Sequence, residues 1–230
     1  MDDTSTAVRP DPRPGRPPAR RGRPPRGEAL SPNALVDAAV ALVREDGPDA
    51  LSTGRLAQRV GITQSGFYAH FRNLDACLDA IAERLETEVR RPIADGMAAL
   101  RAADPADPDA LTLYFETLFD LVVERAVLRD LFLPYRGDRS EVGQRLATCE
   151  ANLVDDLTEH LAAIVRPVGD GRATCRTLAH MLIEQSFTVL LAWQREEIAR
   201  GAATRLLAEQ TARLGASAHR AGLVEAPPAP

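Results

Sequence analysis

The sequence predicts an all-α protein of about nine or ten helices. Apolar residues recur three and four positions apart along most of the chain, which is typical of the buried face of a helix. Residues that cap helices precede these stretches, and glycine or proline follows them. With 230 residues, the chain is long enough for one large or two small helical domains.

Residues 1–27 are rich in arginine, proline and glycine and show no apolar period, so we expect them to be disordered in the free protein. Within them, Arg21, Arg23 and Arg26 belong to the stretch RGRPPR, which resembles the core of an AT-hook. An Arg-Gly-Arg tripeptide is thin enough to enter a narrow A/T minor groove, where negative potential attracts guanidinium groups. We therefore expect a minor-groove arm, with a solvated tail as the alternative.

The first helix is predicted to begin at Ser31-Pro32 and to end at Gly47-Pro48. A serine side chain accepts a hydrogen bond from an unpaired backbone N–H at a helix start. Proline fits the first helical position because its missing N–H is not needed there. The apolar stripe of this helix consists of Leu35, Ala39, Leu42 and Val43.

Two short helices joined by a tight turn are predicted at about residues 52–71. Ser52 or Thr53 can cap the first of them, and Thr63 can cap the second. Gly61 ends the first helix because glycine takes the left-handed conformation without a Cβ clash. This is a helix-turn-helix, whose second helix reads a major groove in DNA-binding proteins. An ordinary helical hairpin is the alternative.

The second of these helices ends in the run Phe67-Tyr68-Ala69-His70-Phe71. The run matches, at every fixed position, the aromatic-Tyr-x-His-Phe ending that marks the helix-turn-helix of the TetR/AcrR family of bacterial regulators. The chain resembles that family strongly over about residues 28–88 and weakly after them. The resemblance implies a homodimeric, all-helical, ligand-controlled repressor. It places a three-helix DNA-binding domain at residues 28–88, a larger helical ligand-binding and dimerisation domain at 89–220, and a frayed tail at 221–230.

Most candidate DNA contacts lie on the second helix of the motif. We expect Gln64 and Ser65 to contact base edges, since glutamine can bond adenine N6 and N7 in the major groove. Tyr68 and Thr63 are better placed for phosphates, which position the protein without specifying a sequence. His70 either contacts a phosphate, with a mild pH dependence, or caps the end of the helix.

Three further positions complete the candidate DNA-binding set. Thr53 and Arg55, at the start of the preceding helix, can reach the flanking phosphate. Gly66 stands where the family commonly has serine or threonine, so either that contact is absent or the backbone approaches DNA more closely. The family commonly has a lysine at the position of Leu74, and Arg72 or the amides of the next helix could replace its phosphate contact.

The helices after the motif are predicted from their apolar period. Asn73 is expected to cap a fourth helix that ends at about Arg91, before Pro92. Further helices are expected at about residues 93–100, 109–125, 127–133 and 141–165. In the family, the last two long helices of each subunit form a four-helix bundle at the dimer interface. Segments 172–200 and 202–218, which Gly201 separates, take that place here.

The resemblance also implies an inducer pocket within the helical body. Each candidate lining residue could equally be an ordinary core residue. Because few of them are polar, an apolar ligand is expected. The candidates are Met97, Tyr114, Phe115, Phe119, Phe132, Tyr135, His160, Phe187 and Trp193.

Charge is unevenly spread along the chain. The net charge of −5 argues against a nucleic-acid partner, but residues 1–75 hold 11 arginines and 9 acidic residues, whereas residues 76–230 hold 17 and 24. A basic end on an acidic body suits a protein that docks DNA with one end. No run of 18 apolar residues and no secretory signal is present in the sequence, so we expect a protein of the bacterial cytoplasm, associated with the nucleoid.

Catalytic, cofactor and metal sites are not predicted. The sequence shows no Ser-His-Asp order and no phosphate loop. His160 with Glu159 and Asp156 is a weak metal candidate, and a solvated acidic helix face is the alternative. Because their spacing fits no zinc or redox pair, the three cysteines are expected to be reduced core residues; redox sensing is the alternative. They are Cys77, Cys149 and Cys175.

Together with these observations, the resemblance implies a sequence-specific repressor that binds a palindromic, inverted-repeat operator in double-stranded DNA as a homodimer. A small, apolar effector would release it. The alternative is an architectural or activating DNA-binding protein that needs no ligand and depends on the Arg/Pro-rich arm. A steep salt dependence with little sequence preference would favour that alternative.

Overall fold

Helices make up the regular structure of residues 31–103, 107–165 and 168–224, which are the residues that this computed structural model describes. The predicted all-α class is confirmed. The helices are α1 (Pro32–Asp46), α2 (Thr53–Arg59), α3 (Gln64–Tyr68), α4 (Leu74–Leu85), α5 (Arg91–Ala102), α6 (Pro108–Glu124), α7 (Leu133–Tyr135), α8 (Glu141–Ile164), α9 (Gly171–Gln194) and α10 (Arg200–Arg220). A 3₁₀ turn at Pro48–Ala50 and π-helical turns at Glu86–Arg90 and Val127–Phe132 connect some of them.

The first four helices begin where the sequence predicts, because each has a side-chain cap. Each capping oxygen accepts the backbone N–H three residues further on, at 2.9–3.3 Å. Gly61 has a φ of 73°, the left-handed conformation expected at the turn between α2 and α3. The four capping residues are Ser31, Ser52, Thr63 and Asn73.

A small apolar core holds α1, α2 and α3 together. Phe67 of α3 and Leu56 of α2 are completely buried. The rings of Phe67 and Phe71 lie 5.9 Å apart, as their four-residue spacing predicts. This core fixes the orientation of α3, whose opposite side faces solvent.

The fourth helix does not end before Pro92. The backbone stays helical through Glu86–Arg90 and continues into α5. Arg91 donates its N–H to the carbonyl oxygen of Glu86, five residues earlier, so the chain widens by one residue per turn just before the proline. This wider turn accommodates a residue that lacks an N–H, and the expected helix boundary is therefore wrong.

The body of the protein is built from α5, α6, α8, α9 and α10, with α8 packed against α5 and α9, and α6 packed against α10. The predicted domain boundary at residue 88 stays a prediction, and the described residues from Ser31 onward form one compact unit. The reason is that α4 packs against both α1 and α8.

The C-terminal helices differ from the prediction at their ends. The chain turns at Glu196, whose φ is 60°, and Gly201 lies in the first turn of α10 instead of breaking the chain. In the tail expected to fray from residue 221, residues 221–223 are exposed, whereas Val224 is 6% exposed. The backbone N–H of Val168 donates to Leu223 O at 3.0 Å and holds this segment.

Two predicted segments lie outside the described residues. They are the arm at residues 1–27, with Arg21, Arg23 and Arg26, and the end of the tail at residues 225–230. Within the described ranges, every helix is too short or too polar to cross a membrane.

Candidate DNA-reading surface and inner cavity

The outer side of α3 forms an exposed polar surface on a rigid support. Gln64, Ser65 and Tyr68 are exposed, and 51% of the Tyr68 surface is accessible. The Tyr68 ring stands edge-on to the buried Phe67 ring at 5.6 Å, so the core below restricts its orientation. The three side chains predicted to read bases and phosphates therefore face solvent together.

Gln64 is held by the first residue of α2. Its Nε2 donates to Thr53 Oγ1 at 3.0 Å. A glutamine amide carries two N–H groups and one carbonyl oxygen. The second N–H and the oxygen remain available for adenine N7 and N6, so this hydrogen bond can orient Gln64 without preventing base contact. Thr53 thus has a positioning role that the sequence prediction did not include.

Thr63 and Ser65 are linked in the same way, because their hydroxyl oxygens lie 2.9 Å apart. Thr63 Oγ1 also accepts the N–H of Gly66 at 3.2 Å, so it is already engaged as the cap of α3. Gly66 itself is explained by packing. A Cβ at this position would lie 3.2 Å from the Cβ of Ile62, so Gly66 allows a close approach to the turn between α2 and α3.

We call residues 31–75 the reading head. Their arginines are mostly paired with acidic residues of α1. Arg55 forms an ion pair with Asp46, so part of its charge is already balanced within the protein. Arg59 donates to both oxygens of Glu45 at 2.7 Å, which lowers the pKa of Glu45 to about 2. Arg72 is exposed and forms no ion pair with another described residue.

His70 lies half-buried at the end of α3. Its backbone N–H donates to Phe67 O at 2.9 Å and closes the last turn of the helix. Leu74, at the position where the resemblance leads us to expect a lysine, is half-buried in the first turn of α4. Arg72 is therefore the arginine best placed to contact a phosphate beside this helix end.

An inner cavity of about 110 Å³ lies between α5, α6, α8 and α9, with Thr211 of α10 at one side. Five of the nine candidate pocket residues line it. Apolar residues of α5 and α8 form much of the remaining wall, and their spacing of three and four along each helix could have indicated them. The five candidates are Met97, Tyr114, Phe115, His160 and Phe187.

The other four candidates lie outside this cavity and pack elsewhere. The rings of Phe119 and Trp193 meet edge-on at 4.8 Å, and the guanidinium of Arg200 lies 5.9 Å from the Phe119 ring centre. The rings of Phe132 and Phe187 meet edge-on at 5.5 Å, and Phe132 is not among the residues that line the cavity. The hydroxyl of Tyr135 donates to Val43 O in α1 at 3.2 Å.

The polar groups on the cavity wall are uncharged at neutral pH. Burial lowers the pKa of His160, and the charge of Arg101 adds to this effect. Burial raises the pKa of Tyr114 to about 12. Ser186 donates to Leu182 O within its own helix at 2.7 Å. None of the described residues that line the cavity is acidic or an arginine, so an apolar occupant would lose little hydration on entry.

The acidic residues beside His160 are engaged by arginines. Asp156 accepts two hydrogen bonds from Arg90 at 2.7 and 2.9 Å, and Glu159 pairs with Arg172. Across the described ranges, no group of three or more potential metal ligands comes together.

All three cysteines are buried free thiols, as predicted. Burial raises the pKa of Cys77 to about 11 and that of Cys149 to about 12, and it also raises the pKa of Cys175. Because the thiolate is the reactive form, these side chains act as small apolar core residues at neutral pH.

Comparison with known proteins supports the fold and the reading head separately. Residues 35–81 match the family model described as bacterial regulatory proteins, tetR family. The tetracycline repressor protein class A from transposon 1721 of Escherichia coli is 48% identical over 59 residues, which are 26% of this chain and 27% of that protein. The class C repressor of Escherichia coli is 41% identical over 58 residues, 25% of this chain and 26% of its own. The chain thus matches about a quarter of the length of these curated relatives.

Solved structures share the fold over most of the chain. The fatty acid degradation regulator FadR of Bacillus halodurans superimposes with a TM-score of 0.58 at 15% identity, over 81% of this chain and 96% of that one. FadR of Bacillus subtilis, solved in complex with stearoyl-CoA, gives a TM-score of 0.55 at 17% identity, over 78% and 97%. At these identities the comparison establishes the architecture alone.

Proposed function

We propose that the chain is a transcriptional repressor of the TetR family, which reads an inverted-repeat operator with α3 and is released by a small effector; the match of residues 35–81 to the model of that family supports this. The observation that carries the proposal is the exposed set Gln64, Ser65 and Tyr68 on a helix anchored by the buried Phe67. Gln64 presents a free N–H and a free carbonyl oxygen, which are the groups that distinguish adenine.

A homodimer is part of the proposal, because two reading heads recognise the two halves of an inverted repeat. Apolar side chains left exposed on the last two long helices support this assembly. Met181 of α9 is 50% exposed and Leu206 of α10 is 38% exposed. Burying them against the same helices of a second copy would remove this apolar surface from water.

The effector is proposed to occupy the inner cavity. An uncharged wall and a volume of about 110 Å³ support a small molecule with a mainly apolar surface. The stearoyl-CoA bound by the Bacillus subtilis protein would not fit this cavity as it stands. Effector binding would favour one of two arrangements of α4, and the two α3 helices would then no longer match adjacent major grooves.

The decisive experiment selects the protein against a random pool of double-stranded DNA at physiological salt. We expect an enriched inverted repeat that a Gln64→Ala, Tyr68→Ala variant no longer binds. Gln144→Ala is the matched control, since Gln144 is exposed on α8, far along the chain from the reading head. Loss of the repeat in the control, or its retention in the double variant, would contradict the assignment of α3.

The charge of the reading head favours a second candidate function, that of an arm-driven DNA-binding protein without a ligand. Residues 31–75 hold four arginines and five acidic residues, so the positive charge of this end of the chain comes from residues 1–30. Deleting residues 1–27 separates the two functions. If the deletion abolishes binding and no sequence is enriched in the intact protein, the arm carries the whole affinity.

A further inference from the structure

A second, outer cavity of about 180 Å³ lies between α5 and α6, next to the inner one. Three side chains line both cavities, namely Ile93, Leu118 and Tyr114. Of these, Tyr114 is the largest. Its aromatic ring therefore lies at the boundary between the two spaces.

The Tyr114 ring is held at this boundary by packing and not by a hydrogen bond. Its hydroxyl forms no hydrogen bond with another described residue, so turning the ring breaks no polar contact. On the α5 side it faces Gly96, where an added Cβ would lie 3.1 Å from Cε2 of the ring. The absence of a side chain at Gly96 thus leaves the space that the ring occupies.

The outer cavity differs from the inner one in charge. Asp120 and Glu124 stand at its rim. Asp120 is paired with Arg200 at 2.7 Å, whereas the nearest cation to Glu124 is Arg125 at 3.8 Å, and Glu124 is well exposed. A carboxylate or phosphate at this rim would meet like charge, while a hydroxyl or ammonium group could donate to these oxygens.

We propose that the two cavities are halves of one site divided by Tyr114, and that its ligand is an elongated amphiphile. The apolar chain fills the inner cavity, and a neutral or cationic hydrogen-bond donor lies at the rim formed by Asp120 and Glu124. A ligand longer than the inner cavity displaces the Tyr114 ring. The proposal rests on the proposed function only in taking this ligand to be the effector.

The test is calorimetric titration of the full-length protein with octylamine, 1-octanol and octanoate, which share one chain and differ in the head group. We expect the amine and the alcohol to bind and octanoate to bind at least about ten-fold more weakly. Glu124→Gln is expected to lower the affinity for octylamine about three-fold and to leave the affinity for 1-octanol unchanged. Equal affinity for octanoate and octylamine in the unaltered protein would overturn the head-group assignment.

The dividing role of Tyr114 is tested with 1-hexanol, 1-octanol and 1-decanol. In Tyr114→Ala the two cavities merge, so the affinity should rise with each added pair of methylenes more steeply than in the unaltered protein. Leu113→Ala is the matched control, because Leu113 is 65% exposed on the outer side of α6. If affinity rises equally with chain length in the unaltered protein, Tyr114→Ala and Leu113→Ala, Tyr114 does not divide the site.

These titrations need no DNA, so their outcome is separate from that of operator selection. Absence of binding by all of the alcohols, in a protein that still enriches an inverted repeat, would overturn the two-part site and leave the DNA-reading function standing. Binding of the predicted ligands by a protein that enriches no sequence would support the site and contradict the repressor.

Discussion

The hydroxyl of Tyr135 donates a hydrogen bond to the backbone carbonyl oxygen of Val43 at 3.2 Å, joining α7 to α1 across 92 residues of sequence. Tyr135 lies beside Arg136, whose guanidinium stands 4.5 Å from the ring centre of Phe187 on the cavity wall. A short physical path of contacts therefore leads from the proposed effector cavity to the first helix of the reading head.

Tyr135→Phe should weaken this connection without leaving a cavity. We expect the free energy of unfolding to fall by about 1 kcal/mol, the usual value of one hydrogen bond, and the effect of an effector on operator affinity to shrink. Urea unfolding measures the first change, and operator titration with and without effector measures the second. Tyr68→Phe is the control for the unfolding measurement. An equal fall in the free energy of unfolding in both variants would contradict a stabilising role of the hydrogen bond from Tyr135 to Val43.

Thr53→Val removes the hydroxyl that holds Gln64 while keeping the side-chain shape. Because Gln64 then loses its orientation, we expect affinity for the enriched operator to fall about three- to ten-fold, with stability nearly unchanged. Fluorescence anisotropy on operator DNA gives the affinity. Thr148→Val, on the exposed side of α8, should bind as tightly as the unaltered protein. If both variants bind alike, Thr53 does not position Gln64.

The Glu45–Arg59 pair predicts a pH dependence of stability. Folding lowers the pKa of Glu45 from its usual value near 4.5 to about 2, so its contribution is fully present above pH 4.5 and is lost as pH falls toward 2. Glu45→Gln should therefore be less stable than the unaltered protein at pH 7, and the difference should narrow below pH 4.5. Thermal unfolding between pH 7 and pH 3 measures this. Glu83→Gln, at an exposed position, should show no such convergence.

Gly143 is required by a close approach of the chain. It is buried in the first turn of α8, and a Cβ there would overlap the backbone carbonyl of Asp138. Gly143→Ala should lower the free energy of unfolding by at least about 2 kcal/mol. At Gly54, which also lies in a helix, a Cβ would meet nothing within 4 Å, so Gly54→Ala should change stability by less than about 1 kcal/mol. Equal effects of the two substitutions would contradict the clash.

The reading head was predictable because its signals are local. The caps Ser31, Ser52, Thr63 and Asn73 act within three residues, and Phe67 and Phe71 show their common face by spacing alone. The ion pairs that engage Arg55 and Arg59 were not predicted, since they depend on how α2 lies against α1.

The cavity was predictable only in part. Aromatic composition suggested both Phe115 and Phe119, yet only Phe115 lines the inner space. Four residues advance a helix by slightly more than one turn, so the side that each ring faces depends on the rotation of α6 against its neighbours. The sequence contains no local signal for that rotation. The prediction that α4 ends before Pro92 was wrong for a related reason. A π-helical turn has no reliable sequence pattern, so the continuation of the helix could not be foreseen.

The unbroken helical path from Leu74 through the π-helical turn to Ala102 makes a lever about 40 Å long, at about 1.5 Å per residue. One end of this path is the start of α4, beside the reading head. The other end carries Met97, on the cavity wall. Arg90, which is bound to Asp156 of α8, lies between these two ends, at the point about which the helix would tilt. A tilt of about 5° there would move the far end by about 2 Å. Sub-ångström adjustments around an effector would thus reach DNA as displacements comparable with the length of a hydrogen bond.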